Sequence, residues 1–214
     1  MATAEFVCAM EEVLDVYERP YNESCPVICL DESPHQLISE ARESFVDSKG
    51  VKHVDYEYRR EGVVDIFMIA EPKAGKRFIQ VKDSHNSHHW AKVIAFIAEE
   101  LHPDATCITL VQDNLAAHRK AALYEVFEAE RARAILRRIE FVHTPKHGSW
   151  LNMAEIELSV LNRVALKQRI SNKQQLQKQI KAYLKEKNKI VTRINWQFTT
   201  KDARTKLKKL YPKP

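Results

Sequence analysis

The segment Cys107-Ile108-Thr109-Leu110-Val111-Gln112-Asp113 is a short apolar run that ends abruptly in a carboxylate. Its length and its β-branched residues indicate a strand buried on both faces of a sheet. An upstream segment, Val27-Ile28-Cys29-Leu30-Asp31, repeats this design and is followed by a predicted break at Ser33-Pro34. Ligands bind at the carboxyl ends of such strands, so neighbouring placement of the two strands would bring Asp31 and Asp113 together.

Other apolar runs predict further strands and helices around this pair. Alternation and turn residues predict three strands, at 54–60, 63–70 and 77–81, with turns at Glu61-Gly62 and Ala74-Gly75. Helical spacing predicts helices at 5–17, 90–101, 118–129, 149–165, 171–185 and 200–210, and a last strand is predicted at 139–142. This order predicts an α/β fold with a mixed five-stranded sheet flanked by helices, which is the layout of ribonuclease H-like domains.

A third carboxylate follows a strand-breaking loop that begins at Thr144 and opens into a helix. Ser149 is the predicted N-cap of that helix, as Ser171 and Thr200 are for the two later helices. Glu155 would then lie in the second turn, with Asn152 on the same face of the helix.

Asp31, Asp113 and Glu155 have the chemistry of a two-metal phosphodiester site. Mg²⁺ and Mn²⁺ prefer oxygen ligands, and two such ions can stabilise both the attacking and the leaving oxygen at phosphorus. Taken singly, each acid is more simply a turn, cap or surface residue, but the three together in this order favour the metal site. We disfavour the competing acids Glu32 and Glu157, and we expect at least one carboxyl pKa to be raised when metal is absent.

The charge of the 214 residues is unevenly distributed along the chain. Residues 161–214 contain 16 Lys/Arg and 2 Asp/Glu, a net charge of +14, so the overall +5 leaves −9 on residues 1–160. A basic end after an acidic body is typical of proteins that bind a polyanion such as DNA. A solvated, lysine-rich helix face is the alternative.

Four cysteines, too few and too scattered for a disulfide framework, predict reduced and packed thiols. Cys25 and Cys29 are four residues apart, but no second Cys/His pair accompanies them, which argues against zinc. The sequence contains no apolar run of membrane-spanning length and no signal peptide, so a cytoplasmic protein is expected. Hydrophobic residues make up 44% of the chain, which excludes wholesale disorder.

Three segments resemble the DDE motifs of bacterial insertion-sequence transposases in the mariner-like superfamily. They are Val27–Glu32, Leu110–His118 and Thr144–Glu155, and Ile194–Thr199 is similar to a further stretch of these proteins. The resemblance implies a ribonuclease H-like domain at 1–165, with Asp31, Asp113 and Glu155 as catalytic metal ligands. Residues 166–214 would form a basic C-terminal helical extension packed on that domain.

The same resemblance implies an activity and its partners. Such enzymes, with two Mg²⁺ or Mn²⁺ ions, cut DNA at transposon ends and join the freed 3′-OH to target DNA, typically at a TA dinucleotide. A homodimer on DNA and a bacterial, nucleoid-associated location are expected. The helix N-terminus near Glu155 suits a phosphate, and the DNA-binding candidates are Lys146, His147, Asn152, Arg163, Lys167 and Arg169.

The histidines leave alternatives open. His118 either approaches the catalytic acids or begins a helix, and the second alternative is slightly favoured. His85, His88 and His89 are expected to form a polar rim or to contact phosphate rather than to bind metal. Trp196 and Phe198 are expected to pack against the C-terminal helices rather than to stack on bases.

One departure from the family concerns end recognition. Members usually have an N-terminal helix-turn-helix region, whereas this sequence begins almost at the catalytic domain, so we expect a fragment, a second reading frame or a truncated relic. The alternative functions are another ribonuclease H-like nuclease and a non-catalytic DNA-binding relic.

Overall fold

The computed structural model describes residues 4–42, 45–53 and 56–212. Its strands are β1 Val27–Glu40, β2 Phe45–Val46, β3 Lys52–His53, β4 Tyr58–Glu71, β5 Lys76–Lys82, β6 Ile108–Gln112 and β7 Ile139–His143. Five of them form one sheet in the order β5-β4-β1-β6-β7, antiparallel on the β5 side of β1 and parallel on the β7 side. The predicted mixed five-stranded sheet is therefore confirmed, and β2 and β3 pair separately.

Helices cover both faces of this sheet. They are α1 Ala4–Glu18, α2 Ser87–Ala95, α3 Ala121–Val126, α4 Ala129–Arg138, α5 Met153–Val164, α6 Lys173–Lys187 and α7 Thr200–Lys206. The end of α2 continues as a π-helical segment, and short 3₁₀ turns precede α5 and follow α7. Within the described ranges, none of the helices has both the length and the apolarity that a membrane crossing needs.

Two hydrophobic cores result, one on each face. Side chains of α1, α5 and α6 pack with Cys29 and Met68 on one face, and side chains of α2, α3 and α4 pack with Leu30 and Phe67 on the other. Successive side chains of a strand point to opposite faces. Asp31 therefore faces α5, whereas its neighbour Glu32 faces α2 and α3.

The predicted break after Asp31 is wrong, because β1 continues through Pro34 to Glu40. Beyond Cys29 the strand has β4 as its partner but no longer pairs with β6. Beside Pro34 the backbone therefore has a strand partner on one side only, and a proline, which has no N–H to donate, is tolerated there. Asp31 consequently lies inside a long strand rather than at its end.

The predicted strands at 54–60 and 63–70 are one strand, β4. Gly62 lies at a register shift opposite Leu37 and Ile38, with φ of +115°, so it forms a bulge rather than a turn. Positions 54 and 55 of the first predicted strand lie outside the described residues. The predicted helix at 118–129 is also wrong, because α3 begins at Ala121 and α4 at Ala129.

The helix starts near the C-terminus differ from the predicted caps by one residue. Asn172, not Ser171, caps α6, and Thr199, not Thr200, caps α7. Buried apolar side chains of this region, Leu166, Ile170, Leu176, Ile180 and Ala203, belong to the same core as α1 and α5. The division of the chain at residue 165 stays a prediction.

Cys25 and Cys107 form a disulfide, so the prediction of four reduced thiols is wrong for this pair. The cause is strand register: Val27 of β1 pairs with Thr109 of β6, which sets Cys25 and Cys107, each two positions before its paired residue, side by side. Their Cα atoms are 4.7 Å apart, within the range of a disulfide. Cys29 is a buried thiol and Cys8 an exposed one.

Candidate active site

Asp31, Asp113 and Glu155 come to the same edge of the sheet from three elements. Asp31 lies two residues beyond the last parallel pair of β1 with β6, and Asp113 follows β6 directly. Glu155 lies in the first turn of α5, not the second, because Asn152 rather than Ser149 is its N-cap. Ser149 begins a short 3₁₀ turn instead.

Asn152 joins α5 to β1 beside the first acid. Its side-chain amide donates to the carbonyl of Leu30 at 2.8 Å, and its side-chain oxygen accepts from the N–H of Ala154 at 3.1 Å. The residue is 1% exposed. These contacts give Asn152, a predicted DNA contact, the role of positioning the start of α5 against Asp31.

The loop before α5 is held in one conformation. At its start, the Thr144 N–H donates to the carbonyl of Gln112 in β6 at 2.8 Å. Within the loop, the Gly148 N–H donates to the Pro145 carbonyl at 2.8 Å. His147 has φ of 65°, and a Cβ on Gly148 would lie 2.6 Å from Pro145 Cγ, so this position requires glycine.

A cleft of about 700 Å³ opens beside these acids. Its lining residues are Asp31, Glu32, Ser33, Ser149, Glu155, Leu158, Ser159, Asn162 and Arg163. Of the predicted DNA contacts, Arg163 lines the cleft, while Lys146, His147 and Lys167 are exposed. Arg169 instead donates to the carbonyls of Tyr56 and Glu57, at 3.3 and 3.1 Å.

The electrostatics of the cleft show that the acids interact. Burial raises the pKa of the Asp31 carboxyl from 3.8 to about 7. The N–H of Glu32, which donates to Asp31 Oδ1 at 2.9 Å, opposes this effect, while the charges of Glu32, Asp113 and Glu155 add to it. The raised carboxyl pKa agrees with the prediction, but burial is its main cause and the repulsion between converging acids, on which the prediction was based, adds to it.

Of the two alternatives for His118, the disfavoured one is correct, because His118 approaches Asp113 and does not begin α3; its second partner, the disfavoured acid Glu32, was missed. His118 Nδ1 lies 2.8 Å from Asp113 Oδ1, and Nε2 lies 3.1 Å from Glu32 Oε1. Burial lowers the pKa of His118, but the hydrogen bonds to Asp113 and Glu32 outweigh it and raise the pKa to about 10. Ligand atoms of the three residues lie within 4.8 Å of one another. The five-residue spacing of Asp113 and His118 was the signal for their contact, whereas nothing in the sequence indicated Glu32 as the second partner of His118.

The other disfavoured acid has a different environment. Glu157 Oε1 accepts from the Arg77 guanidinium at 2.7 Å, and the two side chains are 4% and 2% exposed. Glu157 is thus a partner of a buried cation, and it is absent from the lining of the cleft.

The remaining histidines and aromatic residues contact protein groups. His85 bonds to Asp65 and His88 to Glu125, at 2.9 and 3.0 Å. Across residues 4–42, 45–53 and 56–212, these histidines belong to no cluster of three metal-ligating groups. Trp196 packs on Tyr17 of α1 with ring centroids 5.2 Å apart, and both Trp196 and Phe198 lie against the core that includes side chains of α6 and α7, as predicted.

Residues 26–177 match the family model of the DDE superfamily endonucleases. The chain belongs to this family. No curated protein gives a significant match to the sequence.

Among solved structures, the DDE chain is similar to Mos1 in three complexes. The first is a Mos1 mariner paired-end complex with Mn, with a TM-score of 0.58 and 13% sequence identity; the match covers 98% of this chain and 60% of the Mos1 chain. The second is a Mos1 transposase paired-end complex with left transposon end, with a TM-score of 0.56, 12% identity, and coverage of 86% of this chain and 56% of the Mos1 chain. The third is a Mos1 strand transfer complex, with a TM-score of 0.56, 13% identity, and coverage of 84% of this chain and 52% of the Mos1 chain. The likeness confirms the ribonuclease H-like fold. The DDE chain spans 60% or less of these Mos1 chains.

The donor set of this DDE site suits a hard divalent cation. Carboxylates are the groups that face each other at the sheet edge, and Mg²⁺ and Mn²⁺ prefer oxygen ligands. A cation would remove the mutual repulsion that, together with burial, raises the pKa of Asp31.

Proposed function

We propose that this chain is the catalytic domain of a DNA transposase, a metal-dependent endonuclease and strand transferase that acts at transposon ends. Family membership and the ribonuclease H-like fold support a nuclease. The observation that carries the proposal is the convergence of Asp31, Asp113 and Glu155 beside an open cleft, where the charges of the latter two act on the first.

Asp31, Asp113 and Glu155 are the residues that would hold two Mg²⁺ or Mn²⁺ ions. Bound there, such ions supply Lewis acidity and lower the pKa of an attacking water or hydroxyl group. Similar Mos1 structures include a paired-end complex with Mn and a strand transfer complex, which supports this chemistry for the present chain.

The chain itself orients the reacting groups. Asn152 fixes the first turn of α5 against β1, so that Glu155 and Asp31 keep a constant relation. In hydrolysis, water bonds to phosphorus and the bond to the 3′ oxygen breaks, leaving a 3′-OH and a 5′-phosphate. In strand transfer, that 3′-OH bonds to a target phosphorus and displaces another 3′ oxygen. No protein side chain needs to act as a nucleophile in either step.

DNA would enter along the cationic side of the cleft. Arg163 lines the cleft, and Lys146, His147 and Lys167 are exposed. Residues 161–214 add a net charge of +14 for contacts with phosphates. We further propose that residues 1–165 are the catalytic unit, that 166–214 extend it, and that two copies act together on paired ends in the bacterial nucleoid.

A cleavage assay tests this function. The substrate is duplex DNA that carries the gene with its flanking terminal repeats, incubated with Mg²⁺ or Mn²⁺ and analysed for strand breaks at the repeats. We expect nicking by the wild type and a loss of at least about 10³-fold in Asp113→Asn, since a ligand that stabilises transition-state charge contributes several kcal/mol. Asp104→Asn, at an exposed aspartate outside the cleft, is the matched control.

Equal cleavage by the wild type and Asp113→Asn would overturn the assignment. Salt-sensitive DNA binding without cleavage would instead support a DNA-binding relic. Preferred cleavage of RNA–DNA hybrids or of branched DNA would support another ribonuclease H-like nuclease.

A further inference from the structure

Glu32 and His118 form a buried pair behind the proposed catalytic edge. Glu32 lies on the face of β1 opposite to Asp31, and its Oε1 lies 3.1 Å from His118 Nε2. The two side chains are 5% and 2% exposed. The other ring nitrogen, Nδ1, lies 2.8 Å from Asp113 Oδ1 and 3.1 Å from the carbonyl oxygen of the same residue.

The contacts of His118 show which role it can take. Nε2 faces the Glu32 carboxylate, and Nδ1 faces both the carboxylate and the carbonyl oxygen of Asp113. Neither ring nitrogen can reach a cation without breaking one of these contacts. His118 is thus suited to holding Asp113, not to ligating a cation.

The surroundings keep the imidazole ring in place. It stacks on Trp90, with ring centroids 5.6 Å apart and planes 21° apart. The indole Nε1 donates to Gln112 Oε1 at 3.0 Å, and Gln112 is the residue that precedes Asp113. Trp90 therefore connects the ring with the end of the strand that presents the acid, so ring and carboxylate are held by one network.

We propose that Glu32 and His118 are a positioning pair, in which Glu32 orients His118 and His118 fixes the Asp113 carboxylate in the rotamer that binds metal. The proposal rests on the proposed function, since it takes Asp113 as a metal ligand. Groups that orient metal ligands change metal affinity by about 10- to 100-fold when they are removed. Glu32 itself then has no direct bond to the metal.

Manganese affinity of the full chain without DNA tests this pair. Isothermal titration calorimetry with Mn²⁺ compares the wild type with Glu32→Ala, Glu32→Gln and His118→Gln. We expect Glu32→Ala and His118→Gln to weaken Mn²⁺ binding about 10-fold or more. Glu32→Gln keeps an acceptor for His118 Nε2, so its affinity should stay within about threefold of the wild type, whereas a true ligand such as Asp31 should not tolerate the change to Asn.

Controls separate positioning from folding. His88→Ala removes a histidine with a surface carboxylate partner, Glu125, and should leave Mn²⁺ affinity unchanged. Circular dichroism and thermal unfolding in EDTA establish that each variant is folded. If Glu32→Ala does not fold, the contrast between Glu32→Gln and His118→Gln decides the question.

Two results would contradict the proposal that Glu32 and His118 position Asp113. A loss of affinity in Glu32→Gln as large as that in Asp31→Asn would make Glu32 a metal ligand, and wild-type affinity in both Glu32→Ala and His118→Gln would remove any role. Failure of the proposed function looks different, because Mn²⁺ would then bind Asp113→Ala as well as the wild type.

Discussion

Glu155 and Glu157 lie two residues apart on α5 and have opposite environments. Glu155 is exposed and faces the cleft with Asp31, with no cation of the protein bonded to it in the described part of the chain. Glu157 is buried and bonds to Arg77, whose guanidinium also donates to the carbonyls of Gly75 and Thr192, at 2.6 and 2.7 Å.

The difference separates acids that hold the fold from acids that are free for chemistry. The Arg77–Glu157 pair links β5, α5 and the segment after α6, and a side-chain amide, that of Asn188, bonds to both the N–H and the C=O of Arg77. Removing one partner of a buried ion pair destabilises the folded protein, because the remaining charge is buried without a countercharge. The acids of the cleft repel each other instead, and a cation bound between them, as proposed, would remove that repulsion.

The largest expected effect is on activity, at Glu155. Glu155→Gln should lower DNA cleavage by at least about 10³-fold, because it removes the negative charge of a proposed metal ligand. The free energy of unfolding should change little, since Glu155 is exposed. A strand-break assay and urea denaturation measure the two quantities. Glu130→Gln, an exposed glutamate in the first turn of α4, is the control and should cleave as the wild type does.

The next effect is on stability, at Glu157. Glu157→Ala should lower the free energy of unfolding by about 3–5 kcal/mol, because the Arg77 guanidinium stays buried without a countercharge. Urea denaturation measures this loss, and Glu157→Gln, which keeps an acceptor, should lose less. Glu186→Ala breaks an exposed pair with Lys189 and should change stability by less than about 0.5 kcal/mol. A loss as small in Glu157→Ala as in this control would erase the contrast between the two acids.

The smallest effect is expected for the substitution Asp31→Asn, which should raise the free energy of unfolding by an amount that depends on pH. The pKa of Asp31 is about 7 in the folded, metal-free protein against 3.8 as the ordinary value, so the folded state binds the proton more tightly. Stability of the wild type should therefore fall as pH rises from about 4 to about 7, and it stays lower above that range. Asp31→Asn should be more stable than the wild type at pH 8 by about 1–2 kcal/mol, and the difference should disappear near pH 4.

Thermal unfolding in EDTA at pH 4, 6 and 8 measures this difference. Added Mg²⁺ should stabilise the wild type and not Asp31→Asn, since the ion binds the folded state. A destabilised Asp31→Asn at pH 8 in EDTA would contradict the raised pKa.

Much of the fold follows from local patterns. Short apolar runs predicted β6 and β7, and helical spacing predicted α1 and α5 within a few residues. The length of β1 could not be predicted, because Pro34 reads as a break unless the missing neighbour beyond Cys29 is known. Gly62 was predicted to be a turn residue because a bulge can be distinguished from a turn only when the pairing with the partner strand is known.

In the candidate site, too, some features could be predicted from local sequence and others depended on distant parts of the chain. The residue types and order of Asp31, Asp113 and Glu155 were enough to select these three acids, and their roles as metal ligands stay a prediction. The pairing of Glu32 with His118 was not accessible, because it joins residues 86 positions apart across one face of the sheet. The Cys25–Cys107 disulfide likewise depends on strand register between segments 82 positions apart.

The sequence by itself determined the positions of β6, β7, α1 and α5 and singled out Asp31, Asp113 and Glu155, because burial and periodicity are properties of a few consecutive residues. The tertiary structure decided which acid received a partner: Glu157 received Arg77, Glu32 received His118, and Asp31 and Glu155 remained in the cleft. The physical reason is that the energy of a charge depends on its burial and on the groups within a few ångströms, and those groups come from distant parts of the chain.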